Sequence, residues 1–269
     1  MKSILLHANE DSGLESRLQA ALDLVRLLDG RLTCLHTTPY EAFITGDPFG
    51  GVYALPVVVD QLKRLEAEQR ARLDEKLSTE GVAWDWLQID GPSVQAILDR
   101  SRLADLLVLS LAAKGDDEPA LSLAASVAVH CRAPVIAVPQ TIKALDARGP
   151  AMVAWNGSPE VAHALRFALP MLRRASEVHV VTVAEEDCHQ FPPTDGCRYL
   201  ALHGVKAELH EASRDDRPIA ELLLVAAARL DARYIVMGAY GHSRLREAVL
   251  GGVTRQMMKE SRVPLLLGH

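Results

Sequence analysis

Arg233-Tyr234-Ile235-Val236-Met237-Gly238-Ala239-Tyr240-Gly241-His242-Ser243, followed by Arg244 to Leu250 and then Gly251-Gly252-Val253-Thr254, is the stretch that decides the fold. An apolar run of strand length ends in a glycine-punctuated loop, and a helical pattern through Met257, Met258 and Lys259 follows. Glycines let a backbone approach a ligand closely and adopt φ values denied to other residues. A helix N-terminus presents unpaired N–H groups and partial positive charge, which suits phosphate. Strand, loop and helix in this order therefore predict a phosphate-type site at a strand's C-terminal end.

Working outward, the same unit occurs twice. Asp105–Ser110 leads to Ala133-Pro134-Val135-Ile136-Ala137-Val138, as Arg233–Gly238 leads to Val263-Pro264-Leu265-Leu266-Leu267-Gly268. Upstream, Ile4-Leu5-Leu6 precedes Ser12-Gly13-Leu14-Glu15, a capping-box pattern, and Met152–Trp155 precedes Ser158-Pro159-Glu160, where Ser158 can cap and Pro159 fits the first helical position. Leu14, Leu18, Leu22 and Val25 mark one amphipathic helix; Val161, Leu165, Ala168 and Leu172 mark its counterpart. Strand-like runs follow at Leu32–His36 and Val178–Val183, and again at Val82–Leu87 and Val205–His210. A later helix carries Ile219, Leu222, Leu223, Ala226 and Leu230. Strands alternating with helices imply parallel βαβ units. The expected organisation is an α/β chain of two domains, 1–140 and 150–269, with Gln140–Pro150 as the linker. A long charged segment from Pro56 to Thr79, holding Lys63, Arg64, Glu66 and Glu68, reads as a solvated helix face.

Composition narrows the function classes. The 269 residues are 49 % hydrophobic and 24 % charged, ample for packed cores. A net charge of −6 argues against a nucleic-acid binder that relies on phosphate attraction. No stretch is long and apolar enough for a membrane span, and Ile4–Leu6 is too short for a signal-peptide core, so a cytoplasmic protein is expected. Cys34, Cys131, Cys188 and Cys197 form no C-x-x-C pair and read as reduced thiols. Cys188-His189 with Cys197 and His203 fits no standard zinc spacing, and no metal site is expected.

Gly238-x-x-Gly241, nine residues, then Gly251 resembles the nucleotide loop of the universal stress protein family, and both halves follow that family's order of strands and helices. The resemblance implies five-stranded parallel sheets of order 3-2-1-4-5 with helices on both faces, paired through their last strands, Val135–Val138 and Pro264–Leu267, as a pseudo-dimer within the chain. It implies ATP or AMP, with Mg²⁺, held by Gly238, Gly241, Gly251, Gly252 and Thr254, with Asn156 at the end of the first strand and backbone near Val183 at the end of the second. The family usually places Ser or Thr where Gly252 stands, and Asp where Asn156 stands. In the first half, Ser110-Leu111-Ala112-Ala113-Lys114-Gly115 and Leu121-Ser122-Leu123-Ala124 keep one glycine, so that half is expected to carry a degenerate loop.

No G-x-x-x-x-G-K-[ST] or catalytic triad pattern stands out, so no catalytic residue is assigned and a weak ATPase is the most the loop suggests. Three classes stay open: a regulatory stress protein that binds an adenine nucleotide, a protein-interaction module without nucleotide, and a small-ligand binder or weak ATPase using the first half's pocket. Protein partners and homodimerisation are not specified by the sequence.

Overall fold

The computed structural model describes residues 1–38, 44–46, 52–54, 56–111, 122–183, 191–214, 216–239 and 252–269. The first half contributes β1 (Ser3–His7), α1 (Leu14–Leu28), β2 (Arg31–Thr38), a two-stranded β3 (Ile44–Gly46) and β4 (Val52–Ala54), α2 (Pro56–Ser78), β5 (Ala83–Asp90), α3 (Ser93–Arg100), β6 (Leu106–Ser110), α4 (Leu123–His130) and β7 (Val135–Val138). The second half contributes β8 (Ala151–Ala154), α5 (Pro159–Leu172), β9 (Val178–Val183), α6 (Pro193–Leu202), β10 (Glu208–Ala212), α7 (Ile219–Arg229), β11 (Tyr234–Gly238), α8 (Gly252–Glu260) and β12 (Leu265–Gly268).

Ten strands form one sheet in the order β10-β9-β8-β11-β12-β7-β6-β1-β2-β5. Each half reads 3-2-1-4-5 from its outer edge, parallel throughout. The halves join where β12 runs antiparallel to β7, with Leu265, Leu266 and Leu267 opposite Ala137, Ile136 and Val135. The last strands of the two repeats therefore pair within the chain, as the resemblance implies.

The period of two along each strand sorts side chains into two cores. Ile4, Leu6, Val108, Ile136, Val153, Val180, Val236 and Leu266 face α1, α2, α5 and α6. Leu5, Leu107, Leu109, Val135, Met152, Val181, Ile235 and Leu267 face α3, α4, α7 and α8. Both cores cross the seam, so the halves share hydrophobic interior. The segment between them is fastened to α1: Ser16 Oγ donates to Gln140 O at 2.7 Å, and Leu145 N donates to Asp23 Oδ2 at 2.8 Å. Leu145 and Ala147 are buried.

Two sequence expectations change. Ser12 does not cap α1; its hydroxyl donates to Gln140 Oε1 at 2.9 Å, Gly13 takes the cap position, and Asp11 Oδ1 accepts from Gly13 N at 2.7 Å. The α2 surface is not wholly solvated either. Glu66 and Gln69 are buried, because they continue the Leu73–Leu77 stripe one and two turns toward the N-terminus. Glu66 accepts from Thr38 Oγ1 and from Gln88 Nε2, and Gln69 Nε2 donates to Ala8 O. Ser158 does cap α5, accepting from Val161 N at 3.2 Å, with Pro159 opening the helix.

Leu266 and Ile136 face each other across the seam, and both are fully buried. Leu266→Ala should cost about 2–5 kcal/mol. Denaturant titration followed by far-UV circular dichroism should give one shared transition in wild type and variant. Two separated transitions, one per half, would contradict the shared core.

Candidate functional site

The site follows from strand order. Strands β9, β8 and β11 are neighbours, so the ends carrying Val183, Asn156 and Gly238 lie side by side, about 5 Å apart per strand. This is the crevice at the carboxyl ends of parallel strands, where the order reverses and ligands of open α/β sheets sit.

Five of the seven predicted residues lie among the described ones. Gly238 ends β11 against the first turn of α5; a Cβ there would lie 2.7 Å from Val161 N and 2.9 Å from Glu160 Cβ. Glycine at 238 is thus demanded by strand–helix packing. Gly252 opens α8 and is exposed, and no described atom lies within 4 Å of the position its Cβ would take. Thr254 is buried in the same first turn. Among the described residues α8 begins at Gly252, and the first-turn N–H groups of a helix form its positive end. Asn156 is exposed just beyond β8, and its Oδ1 accepts from Ser158 N at 3.2 Å, organising the entry to α5. Val183 is the last residue of β9 and is paired with Ala212 of β10. Gly241 and Gly251 lie outside the described residues, as do His242, Ser243, Arg244 and Arg246, and Lys114, Gly115 and Cys188-His189.

Two neighbours complete the crevice. Trp155 is buried; its Nε1 donates to Phe191 O at 3.2 Å, and its ring lies against Gly196 of α6. Its place is in the packing beneath α6. Gly157 has φ +72°, and a Cβ there would lie 2.7 Å from Phe191 O. Only glycine makes this turn.

The first half shows the same positions used differently. Ala8 N donates to Leu35 O at 2.7 Å as Trp155 N does to Val181 O at 2.8 Å, which makes Asn9 the counterpart of Asn156 and Thr37 that of Val183. Strand register likewise makes Ser110 the counterpart of Gly238. Here Asn9 Nδ2 donates to Thr37 O at 2.7 Å, and Asn9 Oδ1 accepts from Thr37 N at 2.8 Å. The side chain thus closes on the backbone edge of β2. Arg17, 1 % exposed, fills the space beside it. Its guanidinium donates to His7 O at 2.6 Å, to Asp11 Oδ1 at 2.5 Å, to Ser110 Oγ at 2.9 Å and to Asn9 O. A fully buried charge is tolerable only with such partners. Burial, with the charge of Arg17 second, lowers the His7 pKa to about 3, so His7 is neutral at physiological pH. Burial likewise lowers the His36 pKa and raises that of the Cys34 thiol to about 12, which makes Cys34 an unreactive core residue.

Arg17 and the Glu66–Gln69 pair were missed in the sequence, although each carries a signal. Arg17 stands on the Ala21–Leu24–Leu28 side of α1, and Glu66 and Gln69 on the Leu73–Leu77 side of α2; polar residues on a core stripe imply a buried network. A third group is the trio His179, Glu208 and His210 on β9 and β10, the one cluster of three metal-competent side chains among the described residues. Cys197 and His203 belong to no such cluster there.

Residues 194–268 match the model of the universal stress protein family. A universal stress protein from Archaeoglobus fulgidus DSM 4304 is similar over 98 % of this chain and 97 % of its own, with TM-score 0.76 and 15 % identity. A functionally unknown protein from Pseudomonas aeruginosa PAO1 is similar over 99 % of this chain and 92 % of its own, with TM-score 0.65 and 17 % identity. At such identities the likeness is one of fold. No curated protein matches the chain. Among the described residues no helix is long and apolar enough to cross a membrane.

The first-half network gives a pH dependence with a fixed sign. His7 titrates near 3 when folded and near 6.5 when unfolded, so its contribution to stability is full above about 6.5 and is lost as pH falls toward 3. Between pH 6 and 4 this one group should remove up to about 1.4 kcal/mol per pH unit. Urea unfolding across that range should show a shallower slope for His7→Gln than for wild type. Equal slopes would contradict a buried neutral His7.

Proposed function

We propose, for a chain whose second half carries a universal stress protein domain, that this half binds one adenine nucleotide, ATP or AMP, and that the role is regulatory. The observation that carries the reading is the exposed Gly252, with nothing described within 4 Å of its Cβ position, at the N-terminal turn of α8. Phosphate oxygens need close backbone approach and unpaired N–H donors, and this turn offers both. The phosphates would lie along Gly238, Gly241, Gly251, Gly252 and Thr254. The base would reach across β8 to β9, against Asn156 and the backbone at Val183. Asn156 carries both a donor and an acceptor for ribose or base.

The occupied counterpart supports a single site. In the first half an asparagine and an arginine of the protein itself close the positions that a ligand would need. We assign that half, residues 1–140, to a scaffold role and residues 150–269 to binding. Regulation of a stress response, in the cytoplasm, through protein partners that sense the nucleotide state, completes the proposal.

Gly252→Asp tests it. No described atom lies within 4 Å of the new Cβ, and a carboxylate in the first turn of a helix favours the fold. The same charge repels a phosphate. Titration calorimetry with ATP and with AMP, each with Mg²⁺, should give about one equivalent in wild type and at least tenfold weaker binding in the variant, at an unchanged melting temperature. Two equivalents would reject the scaffold role of the first half. Absence of binding in protein shown by denaturation to carry no nucleotide would favour a protein-interaction module.

A further inference from the structure

The trio on β9 and β10 lies at the other end of the strands from the nucleotide crevice. Strand register puts His179 directly opposite Glu208, and Val181 opposite His210, so His179, Glu208 and His210 share the face of the sheet that Val181 and Val183 present to the second core. His179 Nδ1 is 3.1 Å from His210 Nε2 and 3.8 Å from Glu208 Oε2, and His210 Nε2 is 3.9 Å from the same oxygen. A point equidistant from the three atoms lies about 2.1 Å from each, which is the ligand distance of Zn²⁺, about 2.0–2.2 Å for nitrogen and oxygen.

We propose that His179, His210 and Glu208 form a Zn²⁺-class divalent metal site that fastens the edge strand β10 to β9. Two imidazoles and one carboxylate are a zinc donor set, and the same set suits Cu²⁺ and Ni²⁺. The burial gradient fits a site open on one side: His179 is 5 % exposed, whereas the Glu208 side chain is 69 % exposed and that of His210 is 31 % exposed, leaving room for a coordinated water. A fourth residue stands in the outer position. Glu177 Oε2 is 3.2 Å from His179 Nε2, off the line of a hydrogen bond, so this buried nitrogen has no hydrogen-bond partner among the described residues. Metal-bound histidines commonly donate their second N–H to a carboxylate, and a small turn of the Glu177 side chain supplies it. Glu177 also offsets the positive charge that one carboxylate leaves on a divalent ion. Without an ion, the two rings can satisfy each other only through one N–H···N contact, which uses one nitrogen of each. Among the described residues β10 is the outermost strand of this half and pairs with β9 alone, so a metal link across β9 and β10 secures an edge strand.

The test uses the full chain without an affinity tag, stripped with EDTA, and Zn²⁺ competed against a chromophoric chelator. Wild type is expected to take up one Zn²⁺ that His210→Asn and Glu208→Gln each bind at least tenfold more weakly, about the scale on which even outer partners act. Zn²⁺ should raise the melting temperature of wild type alone. Glu208 is largely exposed, so Glu208→Gln keeps the metal-free melting temperature of wild type and serves if His210→Asn disturbs the fold. Failure of wild type to compete for Zn²⁺ overturns the proposal, as does retention of wild-type affinity by Glu208→Gln.

Discussion

The antiparallel pairing of β7 with β12 is the constraint on which the rest of the molecule depends. Each half ends its parallel sheet on an apolar strand with one unpaired edge, and such edges invite association. Pairing the two edges with each other satisfies both rows of backbone groups and extends each hydrophobic layer into the next. Because the seam is antiparallel, strands of the two halves run in opposite directions. The carboxyl ends of β1, β2 and β6 therefore open at the opposite end of the sheet, along the strand direction, from those of β8, β9 and β11.

That separation lets the crevices diverge. The fold demands the same backbone in both, and the register makes Asn9 and Asn156, Thr37 and Val183, and Ser110 and Gly238 equivalent. Chemistry then departs through side chains. In the first half the asparagine turns inward to clamp β2, and Arg17 binds the ends of β1 and β6 together. In the second half the asparagine stays exposed and holds the entry to α5. The charge of Arg17 is enclosed by four oxygen acceptors of the first half itself.

Much of the architecture was legible in the sequence because it rests on local signals. The doubled strand-and-helix pattern, the Ser158-Pro159 helix start and the aliphatic runs that become β6, β7, β11 and β12 all follow from short-range pattern. The α1 cap was misread because Ser12 answers to Gln140, far along the chain, and not to its own helix. Glu66 and Gln69 look like surface in a charged helix until Leu73 and Leu77 show which face is inside. Gly238 suited a ligand loop by spacing, yet the nearness of α5 accounts for it by packing alone. The histidine trio was invisible because its members meet only through the register of β9 against β10, which no local pattern specifies.

The central claim is that one adenine nucleotide occupies the second half and none the first. Photo-crosslinking with 8-azido-ATP, followed by peptide mapping, tests it most directly, since the azide sits on the base. The account predicts protectable labelling confined to peptides around Asn156 and Val183, with none around Asn9 and Thr37. Labelling of the Asn9 or Thr37 peptides, displaced by unlabelled ATP, would contradict it.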